Sequence, residues 1–119
     1  MSDNVIKNRS FSFALRVVKL YQYLNSEKKE FILSKQLLRS GTSIGALVRE
    51  SEHAESTLDF IHKLAIAQKE ANESDYWLEL LFQAGYLKES QFQSLNSDIL
   101  EINKIISSII ITTKQNLKK

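Results

Sequence analysis

Apolar residues recur along this chain in four stretches with a helical rhythm. Phe13, Val17, Leu20 and Leu24 follow one another at steps of four, three and four residues, the spacing that keeps side chains on one face of an α-helix. They predict a first helix over about 11–24. Leu33, Leu37, Ile44 and Val48 predict a second over about 30–53, and Phe60, Leu64, Ala67, Ala71, Leu78 and Leu81 a third over about 57–84. Phe92, Leu95, Ile99, Ile102, Ile106 and Ile109 predict a fourth over about 89–116, where the three-four alternation outweighs the strand propensity of IISSIIITT. Gly85 follows the third periodic run, where a left-handed residue would stop the helix. Short connections between four such helices imply an all-α fold, an antiparallel up-down-up-down four-helix bundle. It would occupy residues 1–119 as a single domain, with a short flexible N-terminus over about 1–8 and a basic C-terminal tail over about 114–119.

Several helices carry more apolar surface than one core needs. Phe11, Leu15 and Val18 form a second stripe on the first helix, the run LAIA at 64–67 points around most of the third, and Ile105, Ile110 and Ile111 lie off the main seam of the fourth. Helices apolar over so much of their circumference pack on two sides or against another subunit, so a homo-oligomer is expected. The small residues Ala67, Ala71 and Ser74, and the GTSIG segment with Gly41 and Gly45, would permit close helix approach.

Composition narrows the class. No proline and only three glycines leave little punctuation for strands and hairpins. The N-terminus MSDNVIKNRS lacks a signal-peptide core and no run approaches a membrane span, so a cytoplasmic protein without membrane contact is expected. The absence of cysteine removes disulfides, thiolate nucleophiles and cysteine-type zinc sites. Glycine-rich phosphate loops and a GxSxG nucleophile elbow are missing as well.

The remaining chemistry concentrates in ESEHAESTLDFIHK, residues 50–63, which holds both histidines. Glu50 with His53 and Asp59 with His62 have the carboxylate-histidine spacing of di-iron bundles, and Glu52, His53, Asp59 and His62 could face one another across a corner. A di-iron site, however, draws ligands from helices on several sides, and the fourth helix offers no Glu-x-x-His. Ser56 and Asp59 read better as a capping box, with Ser56 Oγ accepting from the Asp59 amide. Glu73 near Tyr76 or Trp77 could line an acid-base pocket, but a partner such as Arg39 inside a helix interface explains it more simply. The expectation is a protein with no enzymatic activity, no metal and no cofactor.

Charge is segregated along the chain. Residues 1–49 carry nine Lys/Arg and three Asp/Glu, residues 50–103 three and eleven, and residues 104–119 four and none. Lys7, Arg9, Arg16, Lys19, Lys28, Lys29, Lys35 and Arg39 would form a basic surface on the first two helices. Such a surface can attract the phosphates of RNA or DNA, meet an acidic protein or the acidic face of a neighbouring protomer, or simply remain solvated.

The segments LLRSGTSIGALVRESEHAEST and FIHKLAIAQKEANESDYWLELLFQAGYL carry a resemblance beyond periodicity. Arg39, Ser43, Ile44, Ala46 and Glu50, then Phe60, Ala65, Glu73, Ala84, Gly85 and Tyr86, follow the pattern of the small bacterial bundle proteins related to those encoded in intervening sequences of 23S rRNA genes. Over about residues 11–110 the chain resembles that family. The resemblance implies a four-helix protomer that assembles into a ring, with a pentamer favoured and no enzymatic activity. A related branch, the accessory proteins of diversity-generating retroelements, implies nucleic-acid binding beside a reverse transcriptase. Gly45 stands where family members often have Pro, and Ser51 where they often have Gly, which implies a softer kink in the second helix.

Overall fold

The structure is a computed structural model that describes residues 2–118, with side chains from Val5 onward. Four helices account for almost all of it: α1 Ser2–Ser26, α2 Leu33–Ser51, α3 Thr57–Gln83 and α4 Glu89–Leu117. Each packs on its neighbours in chain order and α1 closes the ring against α4, with no close backbone approach between diagonal helices among the described residues. Ion pairs and polar contacts show the antiparallel register directly. Lys7 near the start of α1 meets Glu52 just beyond the end of α2, and Arg16 of α1 meets Asp98 of α4. Gln68 of α3 donates to Ser107 of α4. The result is an elongated up-down-up-down bundle of 53 × 22 × 20 Å.

The periodic residues form the core. Phe13, Val17, Leu20, Leu24, Leu37, Ile44, Val48, Leu64, Ala67, Ala71, Leu78, Leu81, Leu95, Ile99, Ile102, Ile106 and Ile109 are all buried. Leu33, Phe60 and Phe92 pack against that core half-buried, and Ile6, Ile61, Leu87 and Ile110 join it. The apolar surplus divides: Ile110 is buried and Ile105 half-buried, whereas Phe11, Leu15 and Ile111 remain exposed. No helix among the described residues is long and apolar enough to cross a membrane.

Helix boundaries differ from the periodic runs in two places. α1 reaches back to Ser2, beyond both the expected start and the expected flexible segment, because Ile6 continues the core seam. α2 begins at Leu33 rather than near 30, and it runs unbroken through Gly41 and Gly45. Both glycines face α1. A Cβ on Gly41 would stand 2.9 Å from Val17 Cγ2, and one on Gly45 would stand 3.5 Å from the Ser10 carbonyl oxygen. The GTSIG spacing therefore marks a close contact between two helices.

Candidate nucleic-acid interface

Ion pairs within the chain use half of the expected basic surface. Lys7 lies 3.4 Å from Glu52, Arg9 3.6 Å from Glu101, and Arg16 2.5 Å from Asp98, with a second bond of 2.9 Å from Arg16 to Ser94 Oγ. Arg39 binds Glu73 and stands 3.4 Å from Glu70. Much of the charge segregation along the sequence is thus complementarity between adjacent helices of one protomer. The helix interface expected for Arg39 and Glu73 is present: Trp77 Nε1 donates to the same carboxylate at 3.1 Å. That indole bond lowers the Glu73 carboxyl below its usual range, against burial and with help from Arg39. The Glu73 hydrogen bond in turn raises the Arg39 guanidinium.

Lys19, Lys28, Lys29 and Lys35 differ from the paired set. Among the described residues none of them has a carboxylate within 4.0 Å. Lys19 lies two turns before the end of α1, Lys28 and Lys29 in the connection, and Lys35 in the first turn of α2. All four are exposed. They belong to one end of the bundle, the end that also receives the α3–α4 connection.

Glu30 shapes this end. It is 7% exposed, and its carboxylate accepts from the amides of Ile32 at 3.1 Å, Leu33 at 2.9 Å and Ser34 at 2.7 Å. Burial opposes its ionisation, but the bonds from Leu33, Ser34 and Ile32 prevail and hold the carboxyl below its ordinary range. The carboxylate thereby satisfies the first amides of α2, where an anion is also favoured by the helix dipole. Opposite it, Lys29 adopts a left-handed backbone with φ 54°, which turns the chain out of α1. Phe31 and Ile32 are left 57% and 75% exposed at the tip. Periodicity passes over these two residues, since neither falls on the Leu33–Leu37 seam. The signal in the sequence is KKEFILSK itself, an adjacent apolar pair between lysines.

The histidine corner is a helix cap. Ser56 Oγ accepts from the Asp59 amide at 3.0 Å, and the Asp59 carboxylate accepts from the Glu55 amide at 3.1 Å. His53 and His62 are exposed, and Lys63 pairs with Glu50 at 3.4 Å. Among the described residues no three His, Asp or Glu side chains come together to hold a metal. A cavity of about 600 Å³ lies at the opposite end from the free lysines, between Val5, Phe60 and the stretch of α4 from Glu101 to Thr113. It is lined by one cation, Lys104, one carboxylate, Glu101, and the hydroxyl-bearing residues Ser108, Thr112 and Thr113.

Comparison with known proteins places this architecture. A crystal structure of a protein of unknown function from the S23 ribosomal protein family of Bacteroides thetaiotaomicron is 58% identical, with a TM-score of 0.91 over 92% of this chain and 98% of that one. No curated protein matches. Residues 2–108 match the family described as 23S rRNA-intervening sequence protein. With α1, α2, α3 and most of α4 inside that match, this chain belongs to the 23S rRNA-intervening sequence protein family.

Proposed function

We propose that this protein is a non-enzymatic, self-associating helical bundle that binds the phosphate backbone of RNA or DNA through the lysines of its α1–α2 end. One observation carries the reading: Lys7, Arg9, Arg16 and Arg39 are engaged by carboxylates of the same chain, whereas Lys19, Lys28, Lys29 and Lys35 are not. Free lysines toward one end of the bundle can attract phosphates, and a ring of protomers would repeat them about the axis. Replacing Lys28 and Lys29 together by Gln should weaken binding to unrelated sequences alike and lower the salt slope by roughly 0.7–0.9 per lost contact. Replacing Arg9 should change it far less, since its guanidinium already faces Glu101. Absence of any measurable affinity of the wild-type protein at about 50 mM salt would reject nucleic-acid binding.

A protein-interaction scaffold is the second reading, and it rests on the outer face of α1. Phe11 and Leu15 are 49% and 47% exposed one turn apart, and the Arg49 guanidinium lies 5.2 Å from the Phe11 ring centre. This apolar strip, rimmed by a cation, suits a second copy of the chain or another protein. Leu15→Glu should dissociate an oligomer built on it while leaving the melting temperature of the protomer unchanged. Light scattering that shows a particle of 13.7 kDa for the wild type at micromolar concentration would remove self-association from the proposal.

A further inference from the structure

Phe31 and Ile32 are among the most exposed large apolar residues of the described chain. Single exposed apolar residues are common on protein surfaces and need no explanation. These two are adjacent, stand at the tip of the bundle, and lie within four residues of Lys28, Lys29 and Lys35. The intervening Glu30 does not neutralise those lysines, because its carboxylate is turned inward onto three backbone amides. The same bonds fill the anion position at the start of α2. A phosphate arriving at this end therefore has to be held by lysine side chains, beside an uncovered aromatic ring.

We propose that Phe31 is a stacking platform for an unpaired base, so that the α1–α2 end selects single-stranded over double-stranded RNA or DNA. The inference rests on the nucleic-acid reading above and adds the strand state of the ligand. Every base offers a π-face, which stacks on an exposed aromatic side chain without regard to sequence. In a duplex those faces are covered by neighbouring base pairs, and only phosphates and groove edges remain within reach. Lys28, Lys29 and Lys35 are exposed and lie within four residues of the ring along the chain, so a strand with its base on Phe31 has cations at hand for its phosphates. Ile32 supplies apolar contact to the sugar or the base edge. An anionic bilayer is the other surface that a cationic apolar tip could meet. Phe31 and Ile32 together offer only about eleven side-chain carbons, fewer than the single myristoyl chain that gives marginal, reversible anchoring.

The test uses the full chain with labelled oligonucleotides of about twelve residues at about 50 mM salt, as single-stranded RNA, single-stranded DNA and duplex. Wild-type protein should bind the single strands more tightly. Phe31→Leu, which keeps an apolar side chain and removes the π-face, should weaken single-strand binding by roughly 5- to 150-fold per stacked base and leave duplex binding unchanged. Phe31→Trp should retain it. A 2-aminopurine probe in the single strand should show a fluorescence change on binding wild type and none with Phe31→Leu. The side chain is exposed, so equal melting temperatures will confirm that the variants are folded. Equal affinity for single strand and duplex, or an unaltered Phe31→Leu variant, would overturn stacking. If Lys28→Gln with Lys29→Gln still weakened binding in that case, the phosphate reading would stand without it. Failure to bind any oligonucleotide, with Phe31-dependent sedimentation on phosphatidylserine vesicles, would reject both in favour of a membrane surface.

Discussion

Gly41 and Gly45 occupy successive turns of α2 against α1, yet only the first is required sterically. A methyl at Gly41 would press on Val17, which is fully buried and stiff at χ1. At Gly45 it would meet the Ser10 carbonyl at ordinary contact distance. Gly41→Ala should therefore destabilise the protein by about 1–3 kcal/mol through overpacking. Gly45→Ala should be neutral or stabilise by up to about 1 kcal/mol, from helix propensity alone. Denaturant titration of the two variants distinguishes them, and equal effects would contradict the packing described. Glu30 invites a pH experiment. Its folded pKa lies below the unfolded one, so its contribution is complete above the ordinary value of 4.5 and is lost as pH falls through the lower folded value. Glu30→Gln should lower stability at neutral pH and flatten the loss on acidification, as followed by melting temperature between pH 7 and pH 3. The sequence shows most of the core but conceals its serines. Ile6, Ser10, Phe13 and Val17 form one seam, and so do Leu37, Ser40 and Ile44, with Ala71, Ser74 and Leu78 opposite. Each of these buried hydroxyls lies within hydrogen-bond reach of a carbonyl of its own helix, and Ser74 Oγ stands 2.9 Å from Ser40 Oγ. A polar letter at a core position thus interrupts the apolar pattern without interrupting the helix, and that is why the apolar periodicity starts α1 late.

The ends of the elements follow local chemistry that periodicity cannot register. α3 stops in a Schellman motif: the Tyr86 amide donates to Leu81 O at 2.9 Å and the Gly85 amide to Phe82 O at 3.0 Å, with Gly85 at φ 90°. That stop was legible from Gly85. The chain leaves α1 through a left-handed residue that is not glycine: Lys29, three residues past Ser26, stands at φ 54°, and the Glu30 amide donates to Leu24 O at 3.0 Å. A side chain in this region costs about 1–2 kcal/mol. Gly85→Ala should accordingly lower stability by about 1 kcal/mol, and Lys29→Gly should raise it by a similar amount. Chemical denaturation would show the opposite signs, and a destabilised Lys29→Gly would mean that its side chain contributes contacts the backbone strain does not reveal. The α2 start was misplaced by three residues in the periodic reading because its capping carboxylate stands outside the helix, at Glu30. A residue three or more positions from the first helical one is seldom read as a cap.

Across the whole molecule the four seams are unequal. Close packing at Gly41 joins α1 to α2, and the Ser40–Ser74 and Arg39–Glu73–Trp77 contacts join α2 to α3. α1 meets α4 over the fewest residues of any adjacent pair. Cavities of about 600 and 330 Å³ open along that seam, and its ion pairs, Arg9–Glu101 and Arg16–Asp98, are a third or more exposed. Exposed pairs contribute about 0–1 kcal/mol and weaken with salt. Amides of α1 should therefore exchange with deuterium faster than those of α2 and α3, and the difference should widen at about 0.5 M salt. Uniform protection across the bundle at both salt concentrations would show that the seam opens only with the whole fold. The free lysines and the tip residues Phe31 and Ile32 lie on the α1–α2 hairpin, outside the ion-paired part of this seam. Of the four helices, the seam joins the one made earliest to the one made latest. At about 5–20 residues per second, α1 waits several seconds for α4 with its exposed flank uncovered, so the least cohesive boundary of the bundle is also the one that closes latest.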